Sequence, residues 1–212
     1  MVKRYSISFL LEGKSLGEIF RQAEPVFDDI DILEFQLGRI NENDRISAMK
    51  FFPFKRRIVN IQGVNGSQNY IDKLVLEALN HGIEYVSLDF GNLREVKTDN
   101  LKAKLIVNHH FKGDITPGKL EGVYRFQKQT YNADIIRMFV NPKTKNEVDS
   151  LDYFMKNKMP EGKLVVAARG DVGRKLNFNA LELGAPFVCS SNTGDLPSPT
   201  EYLDYWERAK QS

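Results

Sequence analysis

The chain holds three histidines, and two of them, His109 and His110, stand side by side at the end of the run KLIVNHHF. An imidazole exchanges protons near neutral pH, so a pair of them where a strand stops points first to acid–base chemistry. Zinc ligation is the competing reading, but neighbours on a strand face opposite ways and cannot both reach one ion. With one cysteine, Cys189, and no His-x-x-x-His spacing, the sequence offers no metal site. The other chemistry-bearing residues lie in short β-rich runs. Glu34 and Gln36 share one side of DILEFQL, Asn60 and Gln62 one side of RIVNIQ, and Ser87 and Asp89 one side of EYVSLDF, while Arg137 interrupts DIIRMFV. A carboxylate beside an imidazole orients it and tunes its proton affinity. A guanidinium supplies a fixed positive charge for a carboxylate, phosphate or enolate oxygen.

These residues need a scaffold that brings several strand ends together. Eight β-rich runs follow one another: Tyr5 to Leu10, Asp31 to Leu37, Arg57 to Gln62, Glu84 to Phe90, Lys104 to Phe111, Asp134 to Val140, Lys163 to Ala168 and Pro186 to Ser190. Amphipathic segments separate them. In SQNYIDKLVLEALNHG, Ser67 suits an N-cap, Ile71, Leu74, Val75 and Ala78 share a face, and Gly82 stops the helix. Thr144 and Ser198 cap two later helices, with Pro199 in a first turn, whereas Pro53 cuts short the helix that follows the second strand. Strands alternating with helices predict a parallel α/β protein, and eight of them predict a (β/α)8 TIM barrel, one domain over residues 1–212. No Gly-x-Gly-x-x-Gly follows the first strand, which argues against a doubly wound dinucleotide fold.

A barrel strand turns an apolar side to its helices, so Glu34, Gln36, Asn60, Gln62, Ser87, Asp89 and Arg137 are expected to point inward and line a polar pocket at the C-terminal strand ends. His109 continues the parity of Leu105 and Val107 and is expected in that pocket, with His110 at its rim.

Composition narrows the partners. Lysine and arginine number 30 against 28 aspartates and glutamates, so there is no electrostatic argument for nucleic acid or an anionic membrane. No apolar run approaches the roughly 20 residues that span a bilayer. A single cysteine fits a reducing compartment, so the expected location is cytoplasmic and the expected partner a small-molecule ligand.

The motifs, read in order, resemble the type I 3-dehydroquinate dehydratase family. DILEFQLG is similar to its Asp-Ile-Leu-Glu-aromatic-Arg-x-Asp segment, NHHF to its Asn-His-Asp-Phe segment, and ADIIRMFVNPKTKNEV to its Ala-Asp-Ile-x-Lys-x-Ala-x-x-Pro segment. GDVGRKLN resembles the glycine turn after strand seven, and SPTEYLDYW stands where the family has its lid. The resemblance implies a TIM barrel in which a strand-six lysine forms a Schiff base, a strand-five histidine moves the proton and a strand-four glutamate orients it. It puts His109 at the acid–base position, Asp89 at the orienting one and Arg137 at that of the lysine. The substrate-binding positions become Glu34, Gln36, Gln62, Asn177 and Glu201, and the aspartate that closes the strand-two motif becomes Gly38. It implies no cofactor and no metal. Relatives are often dimers, which leaves a homodimer open.

A guanidinium has no lone pair to attack a ketone, so Arg137 cannot form the Schiff base. Three functions remain from the sequence. The first is a diverged barrel that binds a small polar or anionic metabolite and uses His109 as acid–base, with Arg137 holding a ligand oxygen. The second is a non-catalytic ligand-binding or scaffold protein, with Arg137 as a structural partner of Asp89 or Glu34. The third is a genuine 3-dehydroquinate dehydratase of the shikimate pathway with its lysine displaced, for example to Lys112. Arg169 and Arg174, which flank GDVG, add a phosphate-binding reading to the first.

Overall fold

The structure is a computed structural model that describes residues 6–89 and 102–209, the side chain of Leu181 apart. Eight strands form one parallel sheet: β1 Ile7–Leu11, β2 Ile32–Gln36, β3 Arg56–Asn60, β4 Tyr85–Asp89, β5 Lys104–His110, β6 Ile135–Val140, β7 Leu164–Ala168 and β8 Val188–Ser190. The order is β7-β6-β5-β4-β3-β2-β1-β8, so the last strand returns to the first and the sheet curls into a nearly closed barrel. The helices among the described residues are α1 Leu16–Ala23, α2 Arg45–Lys50, α3 Gln68–Asn80, α4 Pro117–Tyr131, α5 Lys145–Lys158, α6 Gly170–Glu182 and α7 Pro199–Ala209. This is the expected (β/α)8 arrangement. The ends of two expected strands, Tyr5 and Phe90, lie outside the described residues.

Local chemistry accounts for the helices that position the loops. The Thr144 hydroxyl accepts from the Glu147 backbone N–H while the Glu147 carboxylate accepts from that of Thr144, a capping box that starts α5. Ile71, Leu74, Val75 and Ala78 are buried on α3, and Gly82 turns the chain away with φ +66°. Ser67 holds the N-cap position but its hydroxyl makes no capping bond. The helix after β2 ends at Lys50, before Pro53, as the proline requires.

Two apolar clusters divide the core. The larger lies between strands and helices and includes Leu33, Phe35, Val59, Val86, Leu105, Val107 and Met138. The smaller fills the barrel and includes Ile32, Ile58, Tyr85, Ile106, Ile135, Val165 and Phe187. The inward parity is thereby fixed on every strand, because successive side chains alternate. Two residues further along come Glu34, Asn60, Ser87, Asn108, Arg137, Ala167 and Cys189, all buried. Two further still stand Gln36, Gln62, Asp89, His110, Phe139, Arg169 and Ser191.

On β5 this differs from the expectation. Ile106 and Asn108 point inward, so His110 continues the inner face, while Leu105 and Val107 pack outward on the helix side with His109 in register. The apolar residues used to set the parity belong to the outer cluster, and Asn108 was the inward polar residue.

Candidate functional site

The middle of the barrel is a closed polar network centred on Arg137, which has no exposed surface. Its Nη2 donates to Glu34 Oε1 at 2.7 Å and to Ser87 Oγ at 2.9 Å, and its Nε donates to Asn108 Oδ1 at 2.8 Å. Its Nη1 pairs with Glu34 Oε2 and lies 3.9 Å from Cys189 Sγ. All five N–H donors of the guanidinium are therefore committed. Asn60 Nδ2 donates to Glu34 Oε1 at 2.9 Å, and Asn108 Nδ2 donates to Ser87 Oγ at 2.9 Å and Asp89 Oδ1 at 3.2 Å. Burial opposes the Arg137 charge, but the adjacent Glu34 carboxylate outweighs it and holds the guanidinium above its usual value. Burial also pushes the Cys189 thiol up to about 11, so it stays protonated.

Arg137 thus serves as the structural partner of Glu34, not as a group presented to a ligand, and Glu34 is equally consumed. Sequence placed both residues on the inner face and left the choice of Arg137 partner open between Asp89 and Glu34. The structure selects Glu34, because β2 and β6 face each other across the barrel.

Above this network the mouth opens into a cavity of 340 Å3 lined by Glu12, Gln36, Arg39, Gln62, His110, Phe139 and Arg169, with Gly38 and Gly63 in its wall. A side pocket of 140 Å3 shares Glu12, Arg39 and Arg169 and is completed by Leu10, Ser191, Thr193, Asp195 and Leu196. Neither holds a lysine among the described residues. Gln36 and Gln62 are where the sequence put them. Gly38 is required by space, since a Cβ there would lie 2.1 Å from the Gln62 carbonyl oxygen, so no side chain can replace the aspartate that the resemblance implies.

Phe139 organises the mouth. His110 stacks on its ring with centroids 4.5 Å apart and planes 7° from parallel. The guanidinium carbons of Arg137 and Arg169 lie 5.0 and 5.1 Å from the ring centroid. His110 Nε2 is 3.5 Å from Asp89 Oδ1, so the imidazole–carboxylate pair exists, but with His110 where His109 was expected. His109 packs edge-on against Phe111 with centroids 4.6 Å apart. Burial, and then the neighbouring His110, lower its proton affinity below the usual histidine value, against the pull of Asp89. The buried Nε of Arg169 and Nε2 of His110 have no hydrogen-bond partner among the described residues. Phe139 is not among the expected site residues, and the sequence offers Arg169 only as a phosphate-binding candidate paired with Arg174 around GDVG. The signal for Phe139 and Arg169 was inward parity carried one step past the polar layer, to the last inward position of each strand.

Two expected substrate-binding residues lie elsewhere. Asn177 is buried on α6, where its amide donates to the Ala168 carbonyl at 2.7 Å and accepts from the Ala168 N–H at 3.0 Å. It straps the end of β7, with no group left for a ligand. Glu201, in the first turn of α7, accepts from the N–H of its N-cap Ser198 at 2.8 Å and pairs with Arg174 Nη2 at 2.6 and 2.5 Å. Arg174 also donates to the Gly194 carbonyl at 3.0 Å, so it ties the loops after β7 and β8 together. Neither residue lines the mouth. Among the described residues, no group of three or more histidine, cysteine, aspartate or glutamate side chains could hold a metal ion, and no helix is long and apolar enough to cross a membrane.

The model of type I 3-dehydroquinase matches residues 54–199, which is more than half of the chain. The chain belongs to the type I 3-dehydroquinase family. A 3-dehydroquinate dehydratase of Coxiella burnetii is 21% identical over 208 residues, covering 94% of this chain and 89% of the relative. The crystal structure of a type I 3-dehydroquinate dehydratase from Clostridium difficile superposes with a TM-score of 0.79 at 16% identity, over 99% of this chain and 93% of that one. The enzyme from Geobacillus kaustophilus HTA426 gives the same TM-score at 18% identity, over 97% and 92%. Both structures share the (β/α)8 barrel described above.

Proposed function

We propose that this family member has diverged to bind a small anionic metabolite at the barrel mouth without Schiff-base chemistry. One observation carries the reading. The position that the family resemblance assigns to the reacting amine is a buried guanidinium whose five N–H groups are all engaged. Among the described residues, no lysine borders either mouth cavity to take its place. Lys112 and Lys143 are exposed in the loops after β5 and β6.

The mouth itself suits an anion. Arg169 offers a permanent charge and an unpartnered N–H, the exposed Arg39 flanks it, and the Gln36 and Gln62 amides can donate to oxygen. His110 beside Asp89 is the group placed to exchange a proton with a ligand seated on Phe139. The non-catalytic reading shares this binding site and differs in having no turnover.

The test combines trapping and binding. The protein, incubated with 3-dehydroquinate and borohydride, is expected to give no covalent adduct and no enone absorbance. Inorganic phosphate or shikimate is expected to raise the thermal midpoint, and Arg169→Ala to weaken that binding by about tenfold or more. An adduct on Lys112 or any other lysine overturns the proposal and makes the chain an active dehydratase with a displaced nucleophile.

A further inference from the structure

A larger cavity lies outside the barrel, at the N-terminal ends of β2 and β3, at the opposite end of the strands from the mouth. It measures 490 Å3 and is lined by Phe20, Phe27, Phe52, Phe54, Glu24 and Asp28. The rings form one connected cluster: Phe20 and Phe52 are 5.1 Å apart, Phe27 and Phe52 5.2 Å, and Phe27 and Phe54 5.6 Å. This is not closed core, because Phe54 is 76% exposed and Phe20 39%. Contiguous exposed aromatic surface with a polar rim is the mark of an interaction site. A second observation agrees. Phe52 has φ +54°, a left-handed backbone that a bulky side chain rarely adopts and that persists where the surroundings enforce it.

Charge decides what fits. Among the described residues, the charged groups lining the groove are the exposed carboxylates of Glu24 and Asp28, with the Lys55 ammonium at its edge over Phe27. Aromatic faces are themselves negative, so rings and carboxylates together favour a cation on an apolar stem. The structure already shows this pairing: Lys55 Nζ lies 4.5 Å from the Phe27 ring centroid while donating to the Ile30 carbonyl at 2.7 Å. A second copy of the chain, docked face to face by a two-fold axis, would set both carboxylates against their own counterparts, and like charges oppose that contact.

We infer that this groove receives a basic, apolar segment of a partner protein, with aliphatic side chains between the rings and lysine or arginine beside Glu24 and Asp28. The site is independent of the barrel mouth.

Fluorescence polarisation with three labelled hexapeptides tests it: alternating leucine and lysine, leucine and glutamine, and leucine and glutamate. The lysine peptide is expected to bind about tenfold tighter than the glutamine peptide, and the glutamate peptide more weakly than either. Glu24→Gln with Asp28→Asn should erase the preference, and Phe54→Ala should weaken the lysine and glutamine peptides alike. Phe54 is mostly exposed, so this last variant keeps its fold, which circular dichroism checks. Equal binding of the lysine and glutamine peptides, or binding of the lysine peptide that survives both sets of changes, overturns the inference. So does a dimer in sedimentation that Phe54→Ala dissociates, because the occupant would then be a second copy.

Discussion

Two arginines lie at nearly equal distances from the Phe139 ring and do opposite things. Arg137, at 5.0 Å, is fully buried and gives every donor to Glu34, Asn108, Ser87 and Cys189. Arg169, at 5.1 Å, stands at the mouth, borders both cavities and leaves its Nε unpartnered among the described residues. Residue type alone does not separate these roles. What separates them is one step along the strand: the middle position meets inward residues from the opposite strand, whereas the last inward position meets the cavity. A charge in the middle must find its counter-charge within the protein or be expelled. A charge at the end can wait for a ligand.

The sharpest way to break this comparison is to remove one half of the buried pair. Arg137→Ala leaves Glu34 charged and unpaired inside the barrel, and the expected loss is about 3–5 kcal/mol in urea unfolding. Glu34→Leu combined with Arg137→Met should recover most of that loss, since apolar groups of similar volume replace a buried pair at little cost. A loss under about 1 kcal/mol for Arg137→Ala would mean that water reaches the network and that Arg137 is available to ligands after all. Arg169→Ala supplies the contrast, with stability expected to stay within about 0.5 kcal/mol.

Asn177 sharpens the same distinction on a neutral residue. Its amide spans the N–H and carbonyl of Ala168, so Asn177→Ala leaves buried backbone groups short of partners. The expected cost is about 1–3 kcal/mol, with phosphate binding at the mouth unchanged once the variant is folded. A variant of full stability with weakened binding would return Asn177 to the site.

The sequence made the architecture legible because each level of it repeats. Alternating β-rich and amphipathic runs predict the barrel, and the inward polar residues Glu34, Asn60, Ser87 and Arg137 follow from parity on strands whose outer side is plainly apolar. The same reasoning failed on β5, where Leu105 and Val107 on one side and Ile106 on the other are equally apolar. Periodicity therefore does not distinguish the inner side, and the inward histidine is His110 where His109 is expected. Asn177 and Glu201 failed for a different reason. Family position suggested ligand contact, but a short polar side chain near a helix start or strand end is as readily spent on backbone groups, and only coordinates show which. Arg169 and Arg174 flank GDVG as a pair in the sequence, yet the two part company: one faces the cavity and the other ties two loops through Glu201.

That tie gives the smallest effect and a pH signature. The hydrogen bond from Arg174 is the largest influence holding the Glu201 carboxyl below 4.5, its usual value, and Glu201 in turn raises Arg174, so both partners report the same attraction. A carboxylate depressed in the folded state binds protons more readily when unfolded. Its contribution is complete above pH 4.5 and fades as the pH falls through the lower folded value. The pair is partly exposed, with side chains 29% and 41% accessible, so solvent screening keeps it near the surface scale of about 0.2–1 kcal/mol. Glu201→Gln retains an amide oxygen to accept from the Ser198 N–H and removes only the charge. Its deficit relative to the parent should be measurable at pH 7 and shrink progressively as the pH falls below 4.5 in parallel urea titrations. A deficit that stays constant with pH would show that the cap, and not the ion pair, is what Glu201 contributes to the loops after β7 and β8.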